Sequence, residues 1–248
     1  MGLPALETLS IELLDGGIAV LRHDRPGRMN SQTVTMFREY GVAARALRDL
    51  SIGALVVTGS GDRAFCAGFD LAEIDVLTRM ATLEFLAFQE VATNGVQAIR
   101  ALPFPVIAAV HGAATGGGLA VALAADVRLV APTAKFSTAF VKVGLSLGEL
   151  GTSYHLSRLI GPARAAEIGY SARLVGAEEA VAIGLANRVV PSELLMDEAL
   201  AMARTIAAQP PAAIRLAKST IQRSTEVPSY AAALELEGRA ALVLAIDR

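Results

Sequence analysis

The stretch from Pro105 to Ala125, PVIAAVHGAATGGGLAVALAA, constrains this chain most. It runs for 21 residues without an aspartate, glutamate, lysine or arginine. A run of that length matches the thickness of a bilayer. Gly116, Gly117 and Gly118 argue against a spanning helix, because each glycine weakens a helix interior by about 1 kcal/mol relative to alanine. The stretch divides instead into a short buried strand opened by Pro105, a turn over HGAATGG and a buried helix over GGLAVALAA. A strand that runs through a glycine turn into a helix exposes backbone N–H groups at the helix start. Such donors suit an anion or a developing oxyanion. The turn is therefore expected to hold a reacting carbonyl.

The rest of the composition narrows the function. The 248 residues suffice for one large domain, or one domain with a helical appendage. Hydrophobic residues make up 53% and the mean hydropathy is +0.48. Alanine carries much of this, which points to helix-rich packing and subunit contacts rather than lipid. A net charge of −2 gives no footprint for nucleic acid. The single cysteine, Cys66, excludes an internal disulfide and fits a reducing, cytoplasmic compartment. The N-terminal MGLPALETLSIELLDGG lacks a basic segment followed by an apolar run, so no signal peptide is expected. Three histidines and one cysteine, far apart in sequence, form no metal-ligand pattern.

Taken in order, residues 9–14 and 17–22 alternate around Asp15-Gly16-Gly17 and predict a hairpin. HDRPGRMN, His23 to Asn30, reads as a polar surface loop. Ser31 is placed to cap a helix bearing Val34, Phe37 and Leu47. Ala54 to Thr58 is a buried strand leading into GSGDRAFCAGFD, a second glycine turn. Asp70 stands where a helix starts, and a longer helix covers 81–101, ended by Pro103 and Pro105. Strands at 127–130 and 134–138 precede the loop GLSLGELG, Gly144 to Gly151. Helices at 152–159, 162–170 and 177–183 and a strand at 187–190 follow. From Ser192 onward the chain reads helical, at 192–207, 211–224 and 228–246. This divides it into residues 1–191 and a helical region, 192–248.

GSGDRA follows a strand, as a dinucleotide-binding turn would. No acidic residue stands about 20 positions on, where Arg79 lies, so that reading is set aside. Two glycine turns, each after an apolar strand, can aim two N–H groups at one oxygen, and removing one such donor typically costs about 2.7–4 kcal/mol in the transition state. Sequence alone leaves their convergence open.

The segments AFCAGFDL, VIAAVHGAATGGGLAVALAADVRL, GLSLGELGTSYHLSRLIG and AEEAVAIGLANRVVP together resemble the crotonase (enoyl-CoA hydratase/isomerase) superfamily, from about Leu9 to past Pro191. The resemblance implies an α/β spiral of ββα units with a C-terminal helical trimerisation region. It also implies a homotrimer or a dimer of trimers, and a coenzyme A thioester as substrate with no further cofactor. By position, the oxyanion donors would be the N–H groups of Phe69 and Gly117. Ala67, Asp70 and Leu71 would line the CoA path, and Arg25 and Arg28 would lie near its phosphates. The sequence departs from the family at both hydratase glutamates: Ala120 and Phe140 occupy those positions. Paired carboxylates add water to an enoyl bond because one delivers a proton while the other activates water. Glu149 lies close to a position where some members carry an aspartate base or nucleophile. Buried against Phe140 and Phe69 it would act as a base; otherwise it is a solvated loop residue. The resulting expectation is an acyl-CoA enzyme with isomerase, atypical hydratase or thioester hydrolase chemistry, against a non-catalytic acyl-CoA-binding protein.

Overall fold

The computed structural model describes residues 2–227 and 229–246. The chain opens with β1 (Leu9–Leu14) and β2 (Ile18–His23), an antiparallel hairpin. β2 pairs in parallel with β3 (Ala54–Gly59), and the sheet continues through β5 (Val106–Val110), β7 (Val127–Val130) and β10 (Arg188–Val189). Every residue of β3 and β5 is buried. Their unbroken apolar runs suit parallel strands covered on both faces.

A second sheet has the order β4 (Ala64–Cys66), β6 (Ala113–Thr115), β8 (Lys135–Ser137) and β9 (Val175–Gly176). β3, β5 and β7 each lead through a turn into β4, β6 and β8 in this second sheet, and then into helix. The helices are α2 (Ile74–Arg79) with α3 (Thr82–Arg100), then α4 (Gly117–Ala124), then α5 (Thr152–Ile160). This repetition is the ββα spiral. HGAATGG is thus more than a turn: Ala113 and Ala114 pair with both β4 and β8, and Thr115 pairs with β8. Their small side chains give no strand pattern, and pairing on both sides supplies the order.

Helix α1 (Val34–Arg48) is capped by Thr33, whose hydroxyl accepts the Met36 N–H at 3.1 Å. Ser31 does not cap it; its oxygens receive Arg25 instead. Asp70 does cap a helical start, accepting the Ala72 N–H at 3.0 Å before a one-turn segment, Leu71–Glu73, and α2. His23 is buried, not on the surface. Its Nδ1 lies 3.0 Å from the Phe65 carbonyl oxygen and its ring meets Tyr40 and Phe65 edge-on. It closes β2 on an inward-facing position, which the charged loop after it conceals.

Helices α6 (Pro162–Ser171) and α7 (Ala177–Ala182) complete the front of the molecule. Past Pro191, α8 (Leu195–Ala207) lays Leu195, Ala199 and Ala203 against Ile18, Val20, Ala54, Val56, Ile107 and Ala109 of the first sheet. The i, i+4, i+8 spacing puts these three side chains on one helix face. The composition shift near Pro191 is therefore no break in packing, because α8 closes the second core. α9 (Pro211–Ser224) docks through Lys218, whose buried Nζ donates to the Phe104 carbonyl at 2.9 Å and meets Asp126 at 2.8 Å. α10 (Tyr230–Ile246) packs on α9. Among the described residues no helix is long and apolar enough to cross a membrane, and 105–125 is strand, strand and helix.

Candidate active site

The two glycine turns meet beside the second sheet. Gly68 follows β4 with φ of 90°, and a Cβ there would lie 2.8 Å from the Thr115 carbonyl oxygen. Only glycine allows both that dihedral and that approach. Thr115 ties the turns together by donating its hydroxyl to the Ala67 carbonyl at 2.6 Å.

Phe69 forms an isolated parallel bridge with Gln32. The Gln32 N–H donates to the Gly68 carbonyl at 2.7 Å, and the Asp70 N–H donates to the Gln32 carbonyl at 2.8 Å. This rung uses the groups on either side of Phe69, so its own N–H points away from Gln32. Gly117 is the first residue of α4. An N–H at that position has no acceptor within the helix.

Both turns line one cavity of about 510 Å³, which takes in Ala67, Gly68, Phe69, Leu71, Gly116 and Gly117. One wall is aromatic. Phe37 stacks on Phe69 at 6.4 Å between centroids, and Phe88 meets both rings edge-on at 5.9 and 6.0 Å. Phe85, Ile74, Leu77, Leu145 and Leu150 extend the apolar lining. A more open depression of about 680 Å³ lies between α1, α2 and α3 and touches neither glycine turn. Volume alone would favour it, but both glycine turns line the smaller cavity.

Two charged side chains line the smaller cavity, Glu149 and Lys142. Lys142 is exposed. Glu149 is half-buried, and its carboxylate accepts a hydrogen bond from the Gln89 side chain at 2.8 Å. Ala120 is buried in the core of α4, and Phe140 sits in the cavity wall beside Gly116. The positions matched to the hydratase glutamates thus carry a methyl group and a phenyl ring. Among the described residues no three histidine, cysteine, aspartate or glutamate side chains group to hold a metal ion.

Arg25, Arg28 and Asp70 are not in that lining; they form an ion cluster with one another. The buried Asp70 carboxylate receives Arg25 at 3.0 Å and Arg28 at 2.8 Å. Burial pushes the Asp70 carboxyl up. Arg28, the Ala72 amide, Ser31 and Arg25 outweigh that and hold it well below the usual carboxylate range. Arg28 remains half-exposed, with 55% of its side chain in solvent.

Sequence reasoning missed Gln32 and Gln89. Gln32 is fully buried in the cavity wall, where Nε2 donates to Tyr40 Oη at 3.1 Å. Neither glutamine carries a local signal, since each is uncharged and belongs to no catalytic or binding pattern in the sequence.

Residues 14–242 match the family model described as enoyl-CoA hydratase/isomerase. A Mycobacterium leprae protein named "Probable enoyl-CoA hydratase echA12" is 37% identical over 236 residues, covering 92% of this chain and 79% of that one. A crotonyl-CoA hydratase from Syntrophomonas wolfei is 38% identical over 203 residues, covering 82% of this chain and 76% of the other. The crystal structure of an enoyl-CoA hydratase from Mycobacterium smegmatis superposes with a TM-score of 0.90 at 31% identity, covering 97% and 92% of the two chains. Matched along nearly its whole length in sequence and in fold, this chain belongs to the enoyl-CoA hydratase/isomerase family of acyl-CoA enzymes.

Proposed function

We propose that this enzyme moves a double bond along an acyl-CoA chain, polarising the thioester carbonyl between the Phe69 and Gly117 N–H groups while Glu149 shuttles one proton. The observation that carries this reading is the charge inventory of the cavity: Glu149 is the only carboxylate among its described lining residues. Hydration needs one group to activate water and one to deliver a proton. Isomerisation needs a single base. The carboxylate takes a proton from the carbon next to the thioester, electrons move onto the carbonyl oxygen, and the same proton returns to the far end of the dienolate. Two amides aimed at that oxygen stabilise the charge that develops. The apolar wall suits an uncharged acyl chain and keeps water from the intermediate.

Ala67 and Leu71 line this cavity. Arg25 and Arg28, held by Asp70, present cationic surface to the CoA phosphates; Arg28 is the more exposed of the two. The C-terminal helices are read as the surface of a homotrimer.

A second reading is supported by Ala120 and Phe140: a protein that binds acyl-CoA without turning it over. A panel of 2-enoyl-, 3-enoyl-, dienoyl- and 3-hydroxyacyl-CoA thioesters separates the two. Isomerisation of a 3-enoyl-CoA that falls at least about 100-fold in Glu149→Gln, with thioester affinity retained, supports the first. Tight binding with no turnover of any panel member supports the second.

A further inference from the structure

We infer that Gln32 is a positioning residue that fixes the gap between the two carbonyl-polarising amides, an inference that rests on the proposed roles of Phe69 and Gly117. Its main chain and its side chain engage different halves of the site. The main chain holds the 67–70 turn from both sides of Phe69, through the 2.7 Å and 2.8 Å bonds to Gly68 and Asp70. The side chain reaches the start of α4: a Cβ built on Gly117 would lie 1.9 Å from Gln32 Oε1. The amide is therefore in contact with the Gly117 backbone and sets how near α4 comes to the opposing turn.

The amide is itself held. Nε2 donates to Tyr40 Oη, Tyr40 is fully buried, and its hydroxyl contacts Met36 Sδ at 3.5 Å. Oε1, in contrast, is buried with no hydrogen-bond partner. An unpaired buried acceptor is destabilising, so its presence asks for a role that compensates. A leucine or alanine would avoid that cost, but neither would bring a pinned amide against Gly117. Carbonyl polarisation depends steeply on donor placement, so a strut between the donors bears on chemistry more than on affinity.

The test is isotope-edited infrared spectroscopy of hexanoyl-CoA, labelled at the thioester carbonyl, bound to the intact protein. The wild type is expected to shift the carbonyl stretch to lower frequency, and Gln32→Ala to lose about half of that shift or more, with hexanoyl-CoA affinity little changed. A residue that only supports the fold would lower the melting temperature and leave the shift intact. An undiminished shift in folded Gln32→Ala overturns the inference and leaves the carbonyl-polarising reading standing. No shift in the wild type overturns that reading and the inference with it. Should Gln32→Ala fail to fold, Tyr40→Phe releases the amide instead: a reduced shift supports the strut, and a full shift overturns it.

Discussion

Two residues, Gly117 and Asp70, are tested one at a time. Gly117→Ala would press a methyl group into Gln32 Oε1, so either the amide that Tyr40 holds or the helix start must give way. Overpacking of this kind costs roughly 1–3 kcal/mol. The displaced N–H would lower turnover by about 100-fold or more, which steady-state kinetics beside a urea titration would resolve. Asp70 makes a pH prediction. Its folded carboxyl is depressed below the ordinary value, so it contributes stability that is present above the unfolded pKa of about 3.9 and is lost as pH falls toward the folded value. Urea midpoints at pH 7 and pH 3 should therefore differ more in the wild type than in Asp70→Asn. Legibility at this scale was uneven. The turn holding Gly68 could be located, because its φ of 90° and its approach to the Thr115 carbonyl suit only glycine, and Gly117 was reached through the family resemblance. Gln32 could not, because its significance comes from contacts with residues 36 to 85 positions away, from Gly68 to Gly117.

At the scale of elements, the strands and helices with unbroken apolar runs were readable: β3, β5 and α4 lie where their composition predicts. β6 and β9 were not, since AAT and VG gain order only from neighbouring strands. The attachment of α9 was equally silent, as a buried lysine has no sequence pattern. Lys218→Met should destabilise the protein by about 1–3 kcal/mol, because Asp126 and the Phe104 carbonyl lose a donor. Chemical denaturation measures it, and an unchanged midpoint would remove Lys218 as the anchor. β2 and α5 carry buried histidines. Burial pushes His23 down to about 4, and burial with Arg100, Arg128 and Arg158 nearby pushes His155 down to about 4. Between about 6.5 and about 4 the unfolded chain binds more protons than the folded one, so stability falls as pH drops through that window and this contribution levels off below it. Urea midpoints measured from pH 7 to pH 4 should show the decline, with a shallower slope in His23→Leu.

At the scale of the whole molecule, one core lies between the two sheets and their helices, and a second lies under α8. The spiral brings turns some fifty residues apart to one cavity, which the strand–turn–helix order implied but did not establish. The C-terminal helices leave Ile221 and Leu234 exposed, at 68% and 46%. Sedimentation equilibrium is expected to give three chain masses or six; a single chain mass would contradict the trimer.

The central claim is that two amides and one carboxylate act on a single thioester. A crystal structure with a non-reacting 3-thia acyl-CoA bound tests it most directly. The account predicts the thioester oxygen within about 3.2 Å of the nitrogens of both Phe69 and Gly117, with the Glu149 carboxylate facing the adjacent carbon. A thioester oxygen bonded to neither nitrogen, or Glu149 turned away from the acyl chain, would contradict it.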